Sequence, residues 1–322
     1  MAARGSRMVR RSAAILLGAA ILAGCRTDTV TPRAQQTEEA KAYEDYVQSG
    51  LFCGDDLEFL VALDDRIREW NRAHEQFEFQ EEHRLAADIR RAVNQRMEFL
   101  VHVLGSRDLE GRLVAASALG FSGDRAAVDP LLGAAGDENT EVRTNALYAI
   151  GLLGNRETTM EPLLAALGDR SGEVRAAAAF AICGTVGPGA DRGSYDALVA
   201  ALKDEEWKVQ NHAVRALGVI QRPDTVPLLL AGPLRSEAYL VRLNTAAVLA
   251  IYKAPTSIEP LIELLMDQDV KVVKMAAFAL EKITGESYGN DRAKWLAWWR
   301  EARERFLPPP PEPEPPAPPD DK

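Results

Sequence analysis

The sequence predicts an all-α fold, a solenoid of about six helix-turn-helix repeats. The first observation is a motif of small and apolar residues that recurs every 31 to 35 residues, beginning at Ala118, Ala149, Ala181, Ala216, Val248 and Ala279. The second is that apolar residues around each copy recur at helical spacing. The third is a break between two apolar stripes in the copies, such as Gly136-Asp137. Units of this length bury their apolar faces only by stacking on one another.

The first helix of a repeat is marked by proline. Four prolines stand where such a helix should begin, at Pro130, Pro162, Pro227 and Pro260. Proline is favoured at an early helical position, where its missing N–H costs nothing. These prolines therefore predict where four of the first helices start.

The turn between the two helices holds an oxygen-bearing side chain, at Asp108, Asp137, Asp169, Asp204, Ser236 and Asp267. We expect this side chain to cap the second helix by accepting a hydrogen bond from its first turn. Just inside the second helix an arginine recurs, at Arg112, Arg143, Arg175 and Arg242. Both columns are predicted to be structural, bonded to backbone or to one another between adjacent repeats, and not catalytic.

Small residues in the motif allow consecutive helices to approach closely. Together, these features resemble HEAT repeats of the short bacterial type. The resemblance covers residues 92–284 and is clearest at Val142-Arg143, Ala149-Ile150-Gly151 and Gly154. It implies a right-handed superhelix of about six HEAT-like repeats. The copies depart from the pattern in the third motif position, at Cys183, Ala250 and Glu281, and by an insertion over residues 185–193.

The first 24 residues are predicted to be a secretory signal, with four arginines, no acidic residue and an apolar stretch from Ala13 to Ala23. The stretch ends in Leu22-Ala23-Gly24-Cys25, which is similar to the bacterial lipobox. That resemblance implies a lipid on Cys25, and Arg26 in place of aspartate implies an outer membrane, with the protein facing the periplasm. Residues 25–37 are then the lipidated cysteine and a flexible tether.

The net charge is −10, and removal of the four signal arginines takes it to about −14. So acidic a chain is unsuited to nucleic acid or anionic lipid surfaces. With Cys25 lipidated, only Cys53 and Cys183 remain. A disulfide between them stays an alternative, although Cys183 occupies a small helical position that we expect to be buried.

Three segments flank the array. Residues 38–91 are predicted to form an N-terminal helical cap, with a dimerising coiled coil as the alternative. Residues 285–306 are predicted to form a capping helix that begins at Asp291 and packs Trp295, Trp298 and Trp299 on the last repeat. Residues 307–322 form a proline-rich tail, expected to be an extended, disordered spacer, or else a docking motif.

No common catalytic pattern is present in the sequence, so we expect no catalytic residue, metal, cofactor or small-molecule substrate. Two enzyme families share the HEAT fold. Deoxyhypusine hydroxylases need His-Glu pairs within the repeats, whereas the one such pair here is His74-Glu75, upstream of them. Phycobilin lyases have repeats of similar length, but their activity is disfavoured because they act on cytoplasmic proteins and this chain carries an export signal.

Analogy with the family assigns a concave face of apolar character, at Phe121, Tyr148, Leu152, Phe180, Arg215 and Phe278. We expect this face to bind a helix or extended segment of a protein partner. The alternatives are that the N-terminal helices fill it or that these side chains are core. The predicted function is a non-catalytic, lipid-anchored interaction scaffold or adaptor. A mechanical envelope component and a lyase-type HEAT enzyme remain the other hypotheses.

Overall fold

The computed structural model of the protein describes residues 54–306. The predictions for the signal, Cys25, Cys53 and the proline-rich tail therefore lie outside the described residues. Within them there are α-helices, short 3-10 turns and no β-strand, which confirms the all-α prediction. No helix in this part is long and apolar enough to cross a membrane.

Two helices precede the repeats. Helix α1 spans Asp55–Glu75 and α2 spans Phe79–Gln95, and they pack against each other as a hairpin. Both also contact the second helix of the first repeat. Helix α2 continues to Gln95, so the expected boundary between cap and array at residues 91/92 falls inside a helix.

Six helix pairs follow, and the motif lies in the second helix of each or at its end. The described helices of the array are α3 Met97–Leu104, α4 Leu109–Leu119, α5 Val128–Ala134, α6 Thr140–Leu153, α7 Met160–Ala166, α8 Gly172–Thr185, α9 Arg192–Ala201, α10 Trp207–Ile220, α11 Thr225–Ala231, α12 Tyr239–Tyr252, α13 Ile258–Leu264 and α14 Val270–Thr284. The four marker prolines are each the third residue of a first helix, as predicted. The insertion runs from the last residue of α8 to the second residue of α9.

The chain forms two compact units. The first unit runs to Ile220, and in it the second helices stack in sequence, α4 on α6, α6 on α8 and α8 on α10. The second unit begins at Gln221, and in it α12 packs on α14. The first two side chains of every motif copy are buried, in both units, so the motif spacing marks the core.

A last helix, α15 (Arg292–Phe306), packs on α13 in the second unit. Asp291 accepts a hydrogen bond from the N–H of Lys294, which confirms its predicted capping role. Trp295 and Trp299 are buried and Trp298 is partly buried. The indole N–H of Trp295 donates to the carbonyl of Gly289, 2.9 Å away. The burial of Trp295 and Trp299 agrees with a packing role, whereas contact of the three tryptophans with the last repeat stays a prediction.

Candidate interaction surfaces

The recurring arginines and aspartates bind one another from repeat to repeat. Arg143 donates from Nε and Nη2 to the two carboxylate oxygens of Asp169, over 3.0 and 3.2 Å. Its Nη1 donates to the carbonyl of Asp137, 2.9 Å away in its own repeat. We call this arrangement the arginine–aspartate ladder, whose rungs are Arg112–Asp137, Arg143–Asp169, Arg175–Asp204 and Arg242–Asp267. The prediction that both columns are structural is confirmed.

The capping prediction is wrong for most of these acids. Asp137 accepts from the N–H of Asn139, two residues on, and the side chain of Asn139 is the group that caps α6. The other acids that hold this kind of turn are Asp169, Asp204 and Asp267, and Ser236 does so through its hydroxyl. Asp108 is the exception, because it caps α4 through the N–H of Gly111. The carboxylates stand three residues before the first residue of the helix because there they also meet an arginine of the preceding repeat.

Between the fourth and fifth repeats, uncharged residues stand at the arginine and aspartate positions of the ladder. Gln210 stands at the arginine position and donates to the carbonyl of Asp204, 2.7 Å away. Ser236 stands at the next aspartate position. Both members of one charged pair are thus replaced together, close to the division between the two units at residues 220 and 221.

The expected apolar groove in the first unit is filled by its own side chains. Tyr148 is 4% exposed and Phe180 is 7% exposed. Their ring centroids lie 5.6 Å apart, and Phe180 lies 5.3 Å from the His212 ring on the other side. Phe180 also rests on Gly151, where any Cβ would overlap its ring. The prediction that Tyr148 and Phe180 line an open surface is therefore wrong.

Phe121 is buried by the N-terminal hairpin. Its ring meets that of Trp70 in α1 edge to face, with centroids 5.0 Å apart. This is the alternative in which N-terminal helices cover the face. The remaining residues of the predicted site are more open, since Leu152 is partly buried, Arg215 is exposed and Phe278 is 47% exposed. The structure thus does not bring the six residues into one surface.

Two of the packed rings, Tyr148 and His212, have shifted pKa values. Burial raises the pKa of Tyr148 to about 12. Burial, with the charges of Arg215 and Lys208, lowers the pKa of His212 to about 4. Cys183, which was expected to be buried, is partly buried, and desolvation raises the pKa of its thiol. These groups are neutral near pH 7, as packing groups should be.

Over residues 54–306, no group of three or more His, Cys, Asp or Glu side chains is arranged to hold a metal ion. His74, from the one His-Glu dipeptide, lies 3.1 Å from Glu82 and stacks on Trp70. It therefore contributes to the hairpin.

The turn of the N-terminal hairpin carries an apolar surface that sequence reasoning missed. Phe77 is 75% exposed and Phe79 is 62% exposed, with ring centroids 6.4 Å apart. Phe77 has a φ of 58°, in the left-handed region. The N–H groups of Phe77 and Glu78 bond to the carbonyls of His74 and Ala73, which is the Schellman arrangement of helix ends. We call Phe77 and Phe79 the hairpin tip.

The conformation at the hairpin tip is costly for phenylalanine. Glycine is the usual residue at this position of a Schellman motif, because a Cβ in the left-handed region costs about 1–2 kcal/mol. Two exposed acids, Glu75 and Glu78, flank Phe77. A sequence signal for the tip exists, since Phe77-Glu78-Phe79 follows a long helix with no glycine or proline to end it.

Comparison with solved structures shows the same kind of fold. YibA of Escherichia coli is 18% identical with a TM-score of 0.50, over 84% of this chain and 99% of that chain, a likeness that shows the fold alone. A designed armadillo repeat protein is 22% identical with a TM-score of 0.46, over 57% of this chain and 98% of its own. The complex of CpcE and CpcF of phycocyanin lyase from Nostoc is 27% identical with a TM-score of 0.46, over 58% of this chain and 76% of that chain.

No functionally curated protein sequence matches the chain significantly. A family model described as HEAT repeats matches residues 97–183 and 195–281, which is more than half of the chain. These matches cover the helix pairs and arginine–aspartate rungs described above. The chain therefore belongs to the HEAT-repeat family.

Proposed function

We propose that the protein is a non-catalytic scaffold for protein–protein interaction, held at a bacterial envelope membrane by a lipid on Cys25. The observation that supports partner binding is the hairpin tip, with Phe77 and Phe79 mostly exposed and in contact with each other. The recurring charged residues cannot supply the function, because the ladder already uses them. Function must then lie where the repeats and their flanks differ.

The conformation of the hairpin tip costs free energy, and its exposed side chains add little to the stability of the fold. A phenylalanine that is 75% exposed contributes little burial, while its left-handed backbone favours glycine. Local choices that conflict with folding are expected at functional positions. Aromatic side chains also dominate the energetics of protein interfaces. Partner binding accounts for both the exposure and the cost.

The charges around the tip indicate the chemistry of the partner. Glu75 and Glu78 are exposed beside Phe77. Carboxylates at this place oppose insertion into an anionic membrane and favour a protein surface with an apolar pocket and a basic rim. We therefore place the partner contact at the tip, and not in the groove expected at Tyr148 and Phe180.

The anchoring part of the proposal comes from the sequence of residues 1–26. Leu22-Ala23-Gly24-Cys25 has the position, order and upstream context of a lipobox, and Arg26 favours outer-membrane placement facing the periplasm. Lipid on Cys25 would keep the repeats at the membrane surface, where a scaffold recruits its partner. Conversion of Cys25→Ala should move the protein from the membrane to the soluble fraction, and the N-terminal peptide of the wild type should carry the mass of its acyl chains.

The test of partner binding uses the lipidated full chain in its native envelope. Benzoylphenylalanine replaces Phe77, and irradiation should give one discrete adduct. The same substitution at Met266, which is 71% exposed in the second unit, is the matched control. The double variant Phe77→Gly/Phe79→Ser should lose at least 90% of the partner that co-purifies with the wild type. Equal adducts from both positions, or full recovery with the double variant, would show that the tip is not the contact.

A further inference from the structure

The last second helix, α14, exposes a face that its counterparts α6 and α8 bury. The motif register places Lys274 and Phe278 where α6 has Thr144 and Tyr148. Thr144 and Tyr148 are 8% and 4% exposed, in a helix on which α8 packs. Phe278 is 47% exposed, and Lys274 is also exposed. The face open on α14 thus corresponds to the surface of α6 on which α8 packs.

The path of the chain explains why this face is open. Helix α15 packs on α13, as the first helix of a further repeat would. In the earlier repeats the segment after the first helix forms the second helix that covers the preceding repeat. After α15 come residues 307–322, which contain nine prolines. Proline in a helix interior costs about 3 kcal/mol, so this segment cannot supply a covering helix.

We propose that the proline-rich tail itself occupies the open face of α14, as an extended polyproline II helix. Charge complementarity supports this occupant. Exposed lysines lie along α14, at Lys271, Lys274 and Lys282. The tail carries four acids, at Glu312, Glu314, Asp320 and Asp321. Opposite charges set the register of such a contact more than its affinity.

The apolar part of the contact is Phe278. Proline-rich segments are recognised by exposed aromatic rings, because the preformed polyproline helix loses little entropy on binding. Lys282 Nζ lies 5.1 Å from the centroid of the Phe278 ring. This places an aromatic surface and a positive charge side by side, which suits a tail that alternates proline with glutamate at residues 311–315.

The tail is long enough for this contact. Its 16 residues reach about 50 Å at ~3.1 Å per residue. Helix α14 has 15 residues, a length of about 22 Å at ~1.5 Å per residue. The tail begins in the same unit as α14, directly after Phe306. Its docking would cover Phe278 and would compete with any other ligand for the end of the array.

The experiment uses the full chain with benzoylphenylalanine at Phe278. Irradiation followed by proteolysis and mass spectrometry should identify a crosslink from residue 278 to a peptide within residues 307–322 of the same monomer. A covalent dimer would assign the face to a second copy, and an adduct with another protein would assign it to an external partner. Either result, or no crosslink to the tail, overturns the proposal.

Charge variants test the register with the same readout. Lys274→Glu/Lys282→Glu should lower the crosslink yield about fivefold, and adding Glu312→Lys/Glu314→Lys should restore it. Arg300→Glu changes an exposed charge on α15 and should leave the yield unchanged. Circular dichroism checks that each variant is folded. A loss of similar size with Arg300→Glu, or no rescue by the charge exchange, would contradict docking on α14.

Discussion

Replacing Gly120 by alanine tests the claim that the motif glycines permit close stacking of second helices. A Cβ at residue 120 would lie 2.8 Å from Cα and 2.9 Å from Cβ of Ala149. It would also lie 3.3 Å from Cδ1 of Leu152. The optimal separation of non-bonded carbon atoms is about 3.5–4.0 Å, so α4 and α6 must separate by roughly 1 Å.

The loss of stability depends on which atom the added Cβ would overlap. Leu152 can rotate, but the Cα of Ala149 belongs to the backbone and moves only with its helix. Overpacking of this kind costs about 1–3 kcal/mol, and we expect about 2 kcal/mol for Gly120→Ala. Gly133→Ala is the matched control, because nothing lies within 4 Å of the added Cβ. It should stabilise α5 by about 0.5–1 kcal/mol through helix propensity.

Urea unfolding of the full chain, followed by circular dichroism, measures both variants. With a slope of about 2 kcal/mol per M, Gly120→Ala should lower the midpoint of the transition that reports the first unit by roughly 1 M. Gly133→Ala should raise it slightly. If Gly120→Ala were as stable as the wild type, or if both variants shifted the midpoint equally, glycine would not be required for helix approach and our reasoning about the motif would be refuted.

Three further predictions concern the charged and buried groups. Arg175→Ala should destabilise the first unit by about 1–3 kcal/mol in urea unfolding, because it leaves the Asp204 carboxylate without its guanidinium, whereas an unchanged midpoint would contradict a structural ladder. Hydrogen bonds from Arg242 lower the pKa of Asp267, so its contribution to stability is complete above about pH 4 and is lost as the pH falls through the folded pKa. Asp267→Asn should flatten that dependence, and an unaltered pH profile would count against the rung. His212 has its pKa lowered to about 4, so the unfolded chain takes up the proton first and stability falls between pH 6.5 and 4. In an NMR titration the His212 ring should show no inflection near pH 6.5, and an inflection there would contradict the lowered pKa.

The fold was predictable because each recurring residue type in the sequence has a single structural reason to recur. Alanine, leucine and glycine recur at the motif since second helices must approach closely, as Gly120 and Ala149 do. Prolines mark the first helices for an equally local reason, their position in the first turn. Arg143 and Asp169 were recognisable as structural because the same pair recurs in register.

The candidate site was harder to predict because burial depends on neighbours. Tyr148 and Phe180 occupy positions that face outward in an isolated helix. Phe180 becomes buried because Gly151 leaves room for its ring and Tyr148 and His212 flank it. The same register leaves Phe278 open, since no described helix follows on that side. Sequence periodicity shows which residues share one face of a helix. It does not show whether a neighbouring helix covers that face.

Turn geometry was the second limit. An aspartate before a helix can cap it or hold the turn two residues earlier, and the sequence of Asp137 and Asn139 admits both. The arginine of the previous repeat decides between them, which is a tertiary effect. The hairpin tip escaped notice for the opposite reason, since Phe77 occupies a conformation that local propensity disfavours.

The claim that the chain is an interaction scaffold is tested most directly at the hairpin tip. Partner recovery is measured with the lipidated full chain from native envelopes, comparing the wild type, Phe77→Gly/Phe79→Ser and the exposed control Met266→Ser. Glycine suits the left-handed backbone at residue 77, so the double variant should stay folded. We predict that the partner is lost with the double variant and kept with the control. Undiminished recovery with a folded double variant would contradict the account.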